Sequence, residues 1–213
     1  MVDNNIEGLI NEVMSKADKR KFVQSVELLV RFDPNRTKQT TFNELIYVPH
    51  QIQNPSRIMV IASGEMALEA KKINAQILSP EELDRLATNK REAKKMARRV
   101  YAFVSESSMM QKVGKNLGPI LAPRGKMPVA VPGPQALTSI YSRVLASTRI
   151  RGKNQLGVIA KVGKEGMDAK SIAENARAVI DYLEKKLPPK SISRIGFKLT
   201  MSHPVKKRYE EVS

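Results

Sequence analysis

The hydrophobic pattern of this 213-residue chain changes character twice, and that limits the folds open to it. Near the C-terminal end Ile195, Phe197, Leu199 and Met201 alternate with Gly196, Lys198, Thr200 and Ser202. Successive strand side chains point to opposite faces, so this stretch reads as a strand with one buried and one polar face. The middle differs. Ile58-Met59-Val60-Ile61-Ala62 is unbroken apolar sequence, the mark of a strand covered on both faces.

The remaining segments follow these two styles. Ile6, Leu9, Ile10, Val13 and Met14 recur at helical spacing, with Asp3 placed to cap them. Val23 to Phe32 reads as a strand, Asp33-Pro34-Asn35 as a turn, and Leu45 to Val48 as a second strand. Beyond Pro55 strands and helices alternate: a helix over Met66 to Ile73, helix formers from Glu81 to Arg99, a strand at Tyr101 to Val104 and a helix over Leu137 to Leu145. After Thr148 come a strand at Leu156 to Val162 and a helix capped by Asp168, with Ile172, Ala176, Val179, Ile180 and Leu183 on one face. The expected fold class is an α+β two-domain protein. Residues 1–54 and 148–213 form one α+β domain, interrupted by an inserted α/β, Rossmann-like domain at 55–147. Two consecutive domains also fit the pattern.

Charge points to the partner. Lys and Arg number 37 against 21 acidic residues, a net charge of +16, which favours a polyanion through phosphate neutralisation. The excess is uneven. Residues 1–54 carry 7 basic and 7 acidic side chains, while 55–147 and 148–213 each carry 15 and 7. No cysteine is present, which excludes thiolate metal sites and thiol nucleophiles. No run approaches the roughly 18 apolar residues of a membrane span, and Met1 to Lys21 lacks the apolar core of a signal peptide. The expectation is a cytoplasmic protein with no membrane partner.

Catalytic patterns are missing. His50 and His203 each adjoin a proline, and neither has a metal-pair spacing. There is no phosphate-cradling loop fingerprint and no nucleophile elbow, so no enzyme and no cofactor are expected. The nearest approach to a phosphate loop is Lys112 to Pro119 followed by Pro123 to Pro128, which reads equally as a proline-braced loop with solvated charges. Lys90, Arg91, Lys94, Lys95, Arg98 and Arg99 cannot all share one helical face, so a solvated helix is the simpler reading there. Aromatic residues are only 5%, too few for base stacking to dominate. A folded RNA read by shape, phosphate and ribose hydroxyl fits better. A nucleotide-dependent enzyme and a protein-binding scaffold are the alternatives.

Five segments, in order along nearly the whole chain, resemble the universal L-one family of ribosomal proteins, which forms the lateral stalk of the large subunit. They are Lys21-Phe22-Val23-Gln24-Ser25-Val26-Glu27; Asp33 to Gln39 with Pro49-His50; Pro123-Arg124-Gly125-Lys126-Met127-Pro128; Val162-Gly163-Lys164 with Glu174-Asn175-Ala176; and Thr200-Met201-Ser202. The short C-terminus and the basic character are closest to archaeal members. The resemblance implies an RNA site on the sheet of the domain built from both ends, at Lys21, Phe22, Ser25, Glu27, Arg36, Arg151, Lys153, Thr200, Met201 and Ser202. It implies a ribosome-associated protein, monomeric outside the ribosome, whose partners are the stalk helices of large-subunit rRNA, exit-site tRNA and its own mRNA, which it represses. One position departs from the family, which commonly has Gly where this chain has Ser202; the added Cβ and hydroxyl stand in the way of the close backbone approach a glycine permits, and leave the hydroxyl as a candidate substitute partner for a ribose.

Overall fold

A computed structural model describes residues 2–37 and 40–211 of the chain. The chain enters on helix α1 (Val2–Lys16) and strands β1 (Ser25–Phe32) and β2 (Thr40–Tyr47). It continues through β3 (Ile58–Ile61), α2 (Gly64–Lys72), β4 (Gln76–Leu78), α3 (Pro80–Thr88), α4 (Lys90–Arg99), β5 (Ala102–Glu106), α5 (Met110–Leu121), β6 (Val129–Val131) and α6 (Pro134–Leu145). It closes with β7 (Ser147–Gln155), β8 (Gly157–Lys164), α7 (Ala169–Lys186), β9 (Ile192–Leu199) and β10 (Val205–Arg208). These elements fall into two compact units, residues 1–52 with 146–213 and residues 53–145.

The first unit holds an antiparallel sheet in the order β10-β9-β1-β8 and a two-stranded ribbon, β2-β7. One face of the four-stranded sheet is dry. Val26, Leu28 and Val30 from β1, Val158, Ala160 and Val162 from β8, and Ile195, Phe197 and Leu199 from β9 are all buried there. The apolar stripes of α1 (Ile6, Leu9, Ile10, Val13) and α7 (Ile172, Ala176, Val179, Ile180, Leu183) join them in one core. The opposite face carries the other half of each alternation, and among the described residues no helix covers it. Gly163 is required by this packing, because a Cβ there would sit 2.7 Å from Ile172 of α7.

The second unit holds a parallel sheet in the order β4-β3-β5-β6. Ile58, Val60, Ile61, Phe103 and Val104 are essentially inaccessible, so both faces are covered, as the unbroken apolar run required. Helices α3, α4 and α5 share a core with Phe103 and Ile61, while α2 packs with α6.

Several elements differ from the sequence reading. The first strand begins at Ser25, leaving Lys21 to Gln24 as a loop. Helix α1 already runs from Val2, so Asp3 lies inside it rather than before it. Asp168 occupies the N-cap position of α7, but its carboxylate makes no capping bond. The helical stretch Glu81 to Arg99 is broken at Asn89, which ends α3 and starts α4, accepting a bond from the Glu92 nitrogen at 3.2 Å. The segment read as a loop from Lys112 to Pro119 is helix α5. Its two glycines and Pro119 disfavour helix locally, but Val113, Leu117, Ile120 and Leu121 bury one face and override them.

Candidate nucleic-acid interface

Strand β1 starts where β9 ends, and the junction is tied by long-range bonds. Val26 lies opposite Leu199. One residue beyond, the Thr200 nitrogen donates to the Ser25 carbonyl at 3.1 Å, and the Ser25 nitrogen donates to the Thr200 hydroxyl at 3.0 Å. Gln24 completes the frame. It is buried, its side-chain oxygen accepts from the Met201 nitrogen at 3.2 Å, and its amide donates to the Asp18 carbonyl at 3.1 Å. Its own nitrogen donates to the Glu165 carboxylate at 3.1 Å, and its carbonyl accepts from the Glu165 nitrogen at 2.8 Å.

This frame turns apolar side chains outward. Phe22 is 52% exposed, Val23 67% and Met201 61%. Strand β9 ends at Leu199 and Thr200–Met201 forms a turn, which releases Met201 from the alternation that placed it with Phe197 and Leu199. Apolar side chains held out together on a fixed frame offer a partner surface that is desolvated on binding.

Ser202 is bonded within its own turn. Its hydroxyl accepts from the Leu199 nitrogen at 2.8 Å, and the Ser202 nitrogen donates to the Leu199 carbonyl at 3.1 Å. The serine hydroxyl closes the turn that ends β9. Glu27 faces the open side of the sheet opposite Lys198, with 3.3 Å between the charged atoms, so it is paired rather than merely solvated.

The other expected residues lie elsewhere in this unit. Arg36 is in the turn after β1, at the far end of that strand from Ser25, 3.7 Å from Asp33. Arg151 and Lys153 are exposed on β7, in the two-stranded ribbon. The fold therefore brings together Phe22, Ser25, Thr200, Met201 and Ser202, with exposed Lys21 next along the chain and Glu27 two residues up β1. It does not bring Arg36, Arg151 or Lys153 to that junction. Lys38 and Gln39 of the second motif lie outside the described residues.

Two motif segments meet at a place with no predicted role. Asn175 of α7 is fully buried. Its oxygen accepts from the His50 nitrogen at 2.8 Å, and its amide donates to the carbonyls of Val162 at 2.9 Å and His50 at 3.3 Å. The His50 ring lies 2.5 Å from the Glu174 carboxylate. His50 is structural, and the pair of motifs is a clamp between the loop after β2, α7 and β8.

In the second unit, the crevice at the C-terminal ends of β3 and β5 is where parallel α/β sheets commonly take a phosphate. Here it holds the Glu106 carboxylate, which accepts from Ser108 at 2.6 Å and Ser63 at 3.3 Å. Its negative charge opposes an anion at that position. Three of the four cations of the candidate phosphate loop are engaged locally, and Lys115 is exposed. Lys112 pairs with Asp84 at 2.7 Å, Arg124 donates to the Ile120 carbonyl at 2.7 Å, and Lys126 donates to the carbonyls of Ala97 and Val100. On α4 only Ala93 and Ala97 are buried, so all six cations of that helix are exposed. Among the described residues, no group of His, Asp and Glu is arranged to hold a metal ion, and no helix is long and apolar enough to cross a membrane.

The family described as Ribosomal protein L1p/L10e matches residues 13–203. The chain belongs to that family. Among its relatives, Large ribosomal subunit protein uL1 of Thermofilum pendens is 39% identical over 210 residues, 97% of this chain and 93% of its own length. The proteins of the same name from Aeropyrum pernix and Archaeoglobus fulgidus are 36% and 34% identical, over 94% and 92% of this chain and 94% of their own lengths in each case. As a member of this family the chain is a ribosomal structural protein and not an enzyme. The Phe22–Ser25 and Thr200–Ser202 segments both lie inside the matched region.

Proposed function

We propose that this chain is a component of the large ribosomal subunit that grips large-subunit rRNA at the mobile lateral stalk, using the junction of β1 and β9. The observation that carries this reading is the outward display of Phe22 and Met201 from a frame fixed by Gln24 and Thr200. Those side chains pack on a folded RNA surface. Exposed backbone and hydroxyl groups beside them meet ribose hydroxyls, which both donate and accept. The net charge of +16 supplies attraction, and the nearly neutral junction supplies discrimination. Glu27 accepts from a ribose hydroxyl or base amine at the edge of the contact.

The two units serve as two domains, the second inserted into the first, and the protein is cytoplasmic and monomeric outside the ribosome. On the ribosome the stalk assists departure of deacylated tRNA from the exit site. Off the ribosome the same junction binds a stretch of the protein's own mRNA that mimics the rRNA site and represses its translation. The uL1 names of the relatives support the ribosomal part of this reading.

Crosslinking the protein to total RNA, followed by sequencing at two salt concentrations, tests it. Salt-resistant reads concentrated in one large-subunit rRNA hairpin and in the protein's own message are expected. Reads spread evenly over cellular RNA, or lost altogether at the higher salt, contradict it.

A further inference from the structure

At the other end of the open sheet face three arginines stand side by side. Arg31 of β1 lies opposite Arg194 of β9, and Arg194 lies opposite Arg208 of β10. Directly opposed residues of an antiparallel pair project from the same face, so three adjacent strands present one arginine each in a single row. All three are exposed, and among the described residues none forms an ion pair. Like charges directly opposite one another destabilise a sheet.

The surroundings strengthen the row. With Arg36 and Lys190 the arginines line a basin of about 470 Å³, where among the described residues the acids are Asp33 and Glu210. Asp33 is engaged by the Asn35 nitrogen at 2.9 Å and by Arg36. Lys190 is held at a φ of +59°, a conformation that a residue with a side chain adopts only when its surroundings enforce it. Lys206 lies opposite Gly196 on the same face, and a Cβ at Gly196 would meet the Lys206 side chain at 2.8 Å.

Protection of an exposed sheet edge accounts for cations on β10, which is an edge strand. It does not account for Arg31, whose strand is flanked by β9 and β8. We infer that the row Arg31–Arg194–Arg208 is a second RNA contact that holds phosphodiester groups of the RNA bound at the Thr200–Met201 junction. The inference rests on the proposed function. Six residues along β1 separate Ser25 from Arg31, roughly 20 Å of strand. The RNA then runs along the strands of the open face, read at one end and neutralised at the other. Guanidinium groups suit this task, since each offers a planar fork of donors to phosphate oxygens.

The test is binding of purified full-length protein to the stalk rRNA hairpin between 50 and 200 mM salt, with Arg31→Gln, Arg194→Gln and Arg208→Gln singly and together. Each phosphate contact contributes roughly 0.7 to 0.9 to the slope of log affinity against log salt. The triple variant is expected to flatten that slope by about 2. Without RNA it is expected to melt at the same temperature as the parent or higher, because mutual repulsion is removed. A matched triple on α4, Lys90→Gln, Lys94→Gln and Arg98→Gln, is expected to leave the slope nearly unchanged. An unaltered slope in the Arg31 series overturns the inference, as does an equal effect from the α4 triple, which reports overall charge alone. Failure of the parent protein itself to bind the hairpin overturns the proposed function instead, and the row's assignment to that RNA with it.

Discussion

The hydroxyl of Thr200 accepts a hydrogen bond from the backbone nitrogen of Ser25 at 3.0 Å, across 175 residues of sequence. With the return bond from the Thr200 nitrogen to the Ser25 carbonyl, it makes the start of one strand and the end of another a single structural piece. Thr200 therefore bears on the junction in two ways, by bracing it and by lying on its surface. Thr200→Val removes the acceptor and leaves the Ser25 nitrogen unpaired, and about 1 kcal/mol of stability is expected to go with it. Thr200→Ser keeps the acceptor and is expected to stay near the parent. Urea unfolding of the two variants measures this; equal midpoints for Val and Ser contradict the bracing role.

Asn175 fastens the loop after β2 to α7 and β8 through three bonds made by one fully buried amide. Asn175→Ala leaves the His50 nitrogen and the Val162 carbonyl without these partners. The expected loss is about 3 kcal/mol, read from chemical denaturation. A loss below about 1 kcal/mol means that water replaces the amide and the clamp is dispensable.

Glu27 and Lys198 form a cross-strand pair on the open face, each about one quarter exposed. Such a pair is worth under about 1 kcal/mol, so Glu27→Gln is expected to change stability little. RNA affinity is the informative readout. Because the carboxylate accepts from a ribose hydroxyl or base amine, affinity is expected to fall. Tighter binding by the variant shows that the carboxylate only repelled phosphate.

The Tyr209 phenol is pushed above the usual tyrosine range, first by burial and then by the Glu184 carboxylate, to which it donates at 2.9 Å. The folded state thus favours the protonated phenol. Its contribution to stability is complete below the ordinary value of 10.0 and is lost as pH rises through the raised value. Tyr209→Phe is expected to lose less stability than the parent as pH climbs above 10, in denaturation midpoints followed across that range. Parallel decline of the two proteins contradicts it.

Much of the fold is legible in the pattern, and the exceptions have two opposite causes. The alternation Ile195, Phe197, Leu199 and the stripe from Ile172 to Leu183 correspond to the buried faces of β9 and α7, because both are set by burial against one core. Strands β7 and β10, Ser-Thr-Arg-Ile-Arg-Gly-Lys-Asn-Gln and Val-Lys-Lys-Arg, carry no clear strand pattern in the sequence. They are a ribbon strand and an edge strand, so hydrophobic periodicity is weak in them. Helix α5 was hidden for the opposite reason, its burial outweighing poor local propensity.

At the candidate site, the motifs single out the outward Phe22 and Met201, while Gln24, which lies in the same motif and positions them, is given no role there. Gln24 sits between Val23 and Ser25 with nothing local to distinguish it, since its partners Asp18, Glu165 and Met201 are fixed only by tertiary structure. A buried glutamine beside a strand start is a signal only after burial is known. The bond from the Leu199 nitrogen to the Ser202 hydroxyl is equally out of reach of the sequence, because it depends on the turn that ends β9.

The most direct measurement is the affinity of the parent and of a Phe22→Ala, Met201→Ala double variant for the stalk rRNA hairpin across a salt series. Both side chains are more than half exposed, so the double variant is expected to melt with the parent. The account predicts a loss of at least about tenfold, from the apolar contact given up, with the salt slope unchanged. Unchanged affinity of a folded double variant would contradict the claim that this junction reads the RNA.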